Sequence, residues 1–146
     1  FRVQEGEYLK NDLKSRIQLI MDYKNQILPY EKARTQKVKE KINESLRTAI
    51  ESQDIDRNRF EQEIIYYLEK LDITEEKVRL TNHCNYFIES IDEPESNGKK
   101  LSFVSQEIGR EINTIGSKAN DSDIQKIVVL MKDELEKIKE QLLNIL

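Results

Sequence analysis

One cysteine, one histidine, two prolines, four glycines and no tryptophan stand in 146 residues, and each scarcity excludes something. Cys84 alone rules out an internal disulfide framework and a thiolate zinc site. So few glycines leave no phosphate-binding loop, dinucleotide fingerprint or nucleophile elbow, and no Cys-x-x-Cys is present. No run is apolar enough for a signal peptide or a membrane span, which makes the cytoplasm the expected compartment. What the chain has in abundance is charge. With 36% charged and 37% hydrophobic residues, it suits long, solvent-bathed helices better than a compact sandwich, and it leaves apolar surface for a partner to cover. The net charge of −4 places any nucleic-acid role on local basic clusters or bound cations. Phe1 opens the chain already inside a helical pattern, so the sequence reads as a fragment.

Apolar residues recur at helical spacing almost throughout, which predicts an all-α fold, an elongated antiparallel bundle of five or six amphipathic helices. Leu9, Leu13, Ile17, Ile20, Met21, Ile27 and Leu28 define a first helix. Pro29 then either starts a new helix or kinks a long one. A thin stripe follows, Val38, Ile42, Leu46 and Ala49, so residues 1–52 read as a long helical arm or hairpin and 53–146 as a helical domain. After a break at 53–56, Phe60, Ile64, Tyr67, Leu68 and Leu71 mark another helix. Thr74 is expected to cap the next, whose buried side carries Leu80, Cys84, Phe87, Ile88 and Ile91. Residues 92–97 form a loop around Pro94. In the last helix Ser122 and Gln125 suggest a capping box, and Ile124, Val128, Met131, Leu135, Ile138, Leu142 and Ile145 form a four-three seam that must pack on another helix.

The segment 98–120 concentrates the chemistry. Leu101, Val104, Ile108, Ile112 and Ile115 make an apolar stripe, while Glu107, Glu111 and Lys118 run down its flank. Arg110, Asn113 and Ser117 form a second polar line, and Ser105, Gly109 and Gly116 offer a small-residue face for a close neighbour. Two carboxylates one turn apart can hold Mg²⁺ or Mn²⁺ through oxygen ligands; they also form an ordinary solvated flank paired with Arg110 and Lys118. His83, with Glu76 two turns earlier, is either a core-edge side chain or a general base or metal ligand. Arg59 and Glu63 stand one turn apart and can pair. Lys99 and Lys100 oppose the dipole of the helix they open, as an anion-binding group or as plain loop lysines.

Read in order, these residues resemble the YicC/YloC family of bacterial proteins. The resemblance rests on Asp56, Arg57, Arg59, Phe60, Glu61, Gln62 and Glu63, then Glu75, Glu76, Arg79, Leu80 and His83. It continues through Gly98, Lys99, Lys100, Leu101, Phe103, Gln106, Glu107, Arg110, Glu111, Asn113, Thr114, Ser117 and Lys118, and covers almost the whole chain as the family's C-terminal half. Ser102 stands where the family usually has aspartate, and Gly109 where asparagine is common. The resemblance implies a divalent-metal-dependent endoribonuclease, a homo-oligomer that is hexameric in family members, acting on RNA. On that expectation Glu107 and Glu111 hold Mn²⁺ or Mg²⁺, with Glu63, Glu76 or His83 from neighbouring helices, and Glu107, Glu111 and His83 carry catalysis. Arg57, Arg59, Arg79, Arg110 and Lys118 then contact phosphate. The rival is a non-catalytic oligomerisation or scaffold domain whose polar clusters are ion-pair networks. The sequence leaves open whether water or a 2′-hydroxyl attacks.

Overall fold

The computed structural model describes residues 2–51, 56–93, 98–119 and 121–145, and every regular element among them is an α-helix. In chain order these are α1 (Arg2–Glu51), α2 (Arg57–Leu71), α3 (Thr74–Asp92), α4 (Gly98–Lys118) and α5 (Ser122–Ile145). The expected all-α bundle is what forms. Of the breaks expected at 53–56 and 92–97, only the ends fall within the described residues.

Pro29 neither ends nor restarts a helix: α1 runs through it. The hydrogen bond it forgoes belongs to the carbonyl of Asn25, and both residues are exposed, so the freed group stays on the solvent side. The two halves of α1 differ sharply in environment. Leu13, Ile17, Ile20 and Ile27 are fully buried in one core with the stripes of α3, α4 and α5. Val38, Ile42, Leu46 and Ala49 are only half-buried; Val38 and Ile42 line grooves shared with α2, which itself has no buried residue. One core thus joins the first half of α1 to α3, α4 and α5.

The seam of α5 packs as its spacing demands: Ile124, Val128, Met131, Leu135, Ile138 and Leu142 are all buried, and each such side chain contributes about 1.5–3 kcal/mol of burial. The small-residue face of α4 is what lets α5 approach. A Cβ at Gly109 would lie 3.0 Å from Leu135 Cδ2, and one at Gly116 3.2 Å from Val128 Cγ1. Gly109→Val is therefore expected to destabilise the fold by about 1–3 kcal/mol through overpacking, measured by urea unfolding; an unchanged midpoint would show that α5 yields freely here.

Two caps fall one or two residues earlier than the sequence suggests. Thr74 is the first residue of α3, and the acceptor is Asp72, whose Oδ1 takes Thr74 N at 2.9 Å and Thr74 Oγ1 at 2.6 Å. Likewise Asp121 Oδ1 accepts from Asp123 N at 2.8 Å and Ile124 N at 3.1 Å, so Asp121 caps α5 in place of Ser122. Gln125 forms no capping box; its side-chain amide donates to the carbonyls of Gly116 and Ala119. The bonds from Thr74 hold the Asp72 carboxyl below its ordinary 3.8. A depressed folded-state pKa gives stability that is complete above the unfolded value and lost as pH falls through the folded one. Asp72→Asn should therefore be less stable than the unmodified chain at neutral pH, and the two melting curves should converge below about pH 4. A difference that persists undiminished into acid would contradict this origin.

A polar seam between α3 and α4 as the candidate active site

The hairpin of α3 and α4 buries apolar residues along one side and lines up polar ones beside them. On α3, Glu76, His83 and Ser90 follow at i, i+7 and i+14, with Arg79 and Tyr86 next to them. Glu76 and Glu111 are among the few charged residues withdrawn from solvent, at 3% and 5% exposure. Burying a carboxylate is tolerated only when it is paired, and here the pairs cross the hairpin. Arg79 Nε donates to Glu111 Oε1 at 3.0 Å, while its terminal nitrogens reach Glu75 at 3.1 Å and Glu76 at 3.5 Å. Lys118 Nζ donates to Glu76 Oε1 at 2.8 Å and to the carbonyl of Asp72 at 3.4 Å. Arg34 from α1 closes the end by donating to the carbonyl of Lys118 at 3.0 Å. One oxygen remains unsatisfied: Glu76 Oε2 is buried without a hydrogen-bond partner, as is Ser90 Oγ.

These contacts fix the register of the antiparallel pair. Arg79 meets Glu111, and nearer the hairpin Lys100 Nζ lies 4.9 Å from the centroid of the Tyr86 ring. One turn nearer the hairpin than Arg79 and Glu111, on each helix, stand His83 and Glu107. Both are half-buried. His83 makes no hydrogen bond or ion pair among the described residues, and Glu107 has only a loose pair with Arg110 at 3.8 Å. The seam therefore has two parts, a braced frame of Glu76, Arg79, Glu111 and Lys118 and an unengaged pair beside it.

The other nominated residues lie elsewhere. Arg57, Arg59 and Glu63 belong to α2, where Arg59 and Glu63 pair at 3.7 Å with most of both side chains in solvent. Arg110 points outward on α4, its side chain 74% exposed. Lys100 is drawn to Glu93, at 3.1 Å, and to Tyr86, whose hydrogen bond is the first cause of its raised pKa. For the divalent metal that the resemblance implies, no group of three His, Cys, Asp or Glu among the described residues is placed to hold an ion. The two buried carboxylates are moreover matched by two cations. The described residues alone do not fit a self-contained metal centre.

Residues 27–146 match the family described as endoribonuclease YicC-like, C-terminal. The chain belongs to that family. Two curated relatives, each named "Probable endoribonuclease YicC", extend the match: the protein of Clostridioides difficile is 39% identical over 145 residues, and that of Haemophilus influenzae 30% identical over 144. Each alignment takes in 99% of this chain and 50% of the relative, so the chain spans about half the length of the YicC proteins it matches. Among the described residues no helix is long and apolar enough to cross a membrane.

Cys84, on the core side of α3, takes no part in the seam. Burial pushes its thiol up to about 12, and a thiol that stays protonated is a poor nucleophile. Alkylation by iodoacetamide should follow global unfolding and remain undetectable under native conditions; fast labelling of the folded chain would contradict this.

Proposed function

We propose that this chain is half of an RNA endonuclease and that the α3–α4 seam is its contribution to the active site. The observation that carries the reading is that half-buried His83, without a partner among the described residues, and Glu107, held only loosely by Arg110, each stand one turn along from a buried frame that packing alone does not ask for. An imidazole and a carboxylate so placed can divide the proton traffic of phosphodiester cleavage, one taking the proton of the attacking hydroxyl or water, the other returning one to the leaving oxygen. The frame keeps α3 and α4 at fixed spacing, and Lys118 and Arg79, partly exposed while they neutralise Glu76 and Glu111, offer N–H donors at the rim, where charge develops on the phosphate. Glu111 serves by position: its carboxylate anchors Arg79. A divalent Mn²⁺ or Mg²⁺ would add charge neutralisation at the phosphate, with Glu107 as the accessible carboxylate and further ligands from outside this chain.

The scaffold reading explains the frame, because a charge-balanced network can lock two helices, but it leaves His83 and Glu107 without work. Photo-crosslinking of RNA to the full-length protein separates the two readings. Crosslinked peptides from residues 74–92 and 98–118 are expected; crosslinks confined to the other half would support the scaffold. Assembly into a homo-oligomer belongs to the same proposal and is read by light scattering at rising concentration, where a strictly monomeric full-length protein would refute it.

A further inference from the structure

On the other side of α3, between it and α1, lies an open groove of about 490 Å³, within the roughly 300–1,000 Å³ of small-ligand sites. Acids outnumber bases by 28 to 24 in this chain, yet no aspartate or glutamate lines the groove. Two ammonium groups stand on its walls. Lys24 reaches across from α1 to Thr81 Oγ1 at 2.5 Å, and Lys77 on α3 pairs with Glu31 on α1 at 2.5 Å. Glu31 offsets Lys77, so Lys24 supplies the remaining positive charge. Leu28 and Val78, one from each wall, are 46% and 54% exposed. The carboxamides of Asn25 and Asn82 are exposed and have no partner among the described residues.

This is the set of groups a nucleotide needs: a fixed cation for phosphate, flat apolar surface for a base face, and carboxamides for base edges or sugar hydroxyls. The outer face of α3 continues it. Val78, Asn82 and Tyr86 follow at i, i+4 and i+8, and Tyr86, 45% exposed with the Lys100 ammonium 4.9 Å from its ring centroid, leads round from the groove toward the seam. A strand leading from the groove to the seam passes round the outer face of α3, about half the girth of a helix about 10 Å thick, a path of about 16 Å or about five stacked nucleotides at about 3.4 Å each.

We infer that the groove between α1 and α3 is a nucleotide subsite, which holds one nucleotide of a single-stranded RNA whose scissile phosphate lies at the seam across α3. The inference rests on the nuclease reading above. Lys24 takes the phosphate, Leu28 and Val78 the base, and Asn82 a base edge or sugar hydroxyl. A free mononucleotide carries the same chemistry, so the test has two arms.

The full-length protein is titrated against a fluorescent, 2′-O-methylated oligonucleotide at one salt concentration, and separately with adenosine 5′-monophosphate. Val78→Glu and Asn82→Glu both place a carboxylate on an exposed helical position, so folding should persist, as a melting curve verifies. Each is expected to weaken RNA binding about tenfold. Lys24→Gln should flatten the salt dependence by about 0.7 of a log unit per log unit, the share of one phosphate on a single strand. RNA affinity unchanged in both glutamate variants overturns the subsite. Saturable monophosphate binding to the unmodified protein, lost in the variants with RNA binding intact, overturns the strand as occupant. If the protein neither binds nor cleaves RNA, the nuclease reading falls too; if it cleaves, Glu107→Gln abolishes cleavage and Asn82→Glu binds normally, only the subsite falls.

Discussion

Lys118→Met is expected to destabilise the protein by about 2–3 kcal/mol, whereas Glu76→Gln should cost less than about 1 kcal/mol, although the two side chains form one ion pair. The asymmetry follows from burial. The Glu76 side chain is 4% exposed and that of Lys118 34%. Removing the lysine leaves a carboxylate inside the protein with Arg79 at 3.5 Å as its remaining cation and one oxygen already unpartnered. Removing the carboxylate's charge leaves a lysine that can swing into water, so little is lost. The magnitude sits below that of a fully buried broken pair because Lys118 is partly screened. Glu76→Met in the Lys118→Met background should recover most of the loss, since a neutral pair no longer carries an uncompensated charge. Urea unfolding of the four proteins gives the comparison. Equal losses in the two single variants would mean that the frame is a solvated surface pair.

The fold was largely legible in the sequence, and the frame of the site was not. The stripes of α4 and α5 were readable because their apolar residues sit on strict helical periods, with one face in the core and the other in solvent. The path of α1 through Pro29 was not readable, because a proline on the solvent side costs a helix only one exposed hydrogen bond, and the buried Ile20 and Ile27 anchor the turns before it in the core. The caps slipped for a similar reason: serine, threonine and aspartate are all competent, and tertiary position decides which is used. At the site, the i, i+4 spacing of Glu107 and Glu111 suggested one pair of equivalent ligands. Folding separates them, because Glu111 faces α3 and is taken by Arg79, while Glu107 stays accessible one turn away. Such cross-hairpin pairs leave no local signature: Arg79 and Glu111 are 32 residues apart and Lys118 and Glu76 42. The spacing of Glu76 and His83, two turns apart on one face of α3, was nevertheless visible.

The division between frame and unengaged pair makes the catalytic expectations unequal. Glu107→Gln in the full-length protein should lower RNA cleavage by at least about 100-fold, equivalent to about 2.7 kcal/mol of transition-state stabilisation. Its melting temperature should hardly move, because the loose pair with Arg110 is of the kind that contributes little. His83→Gln should behave alike, with a loss of about 10²–10⁴-fold, the range for a positioned acid or base. Glu111→Gln should lower both cleavage and melting temperature, since it frees Arg79 from its shortest contact. The three variants thus distinguish chemistry from support: two lose turnover at constant stability, and the third loses both.

The most direct measurement is single-turnover cleavage of RNA by full-length Glu107→Gln, at one salt concentration, with Mn²⁺ first limiting and then in excess, and with melting recorded in parallel. Cleavage is expected to fall by at least about 100-fold under limiting metal at an unchanged melting temperature. Cleavage at the unmodified rate in both conditions would contradict it, and would leave the seam as a helix-locking network in a scaffold.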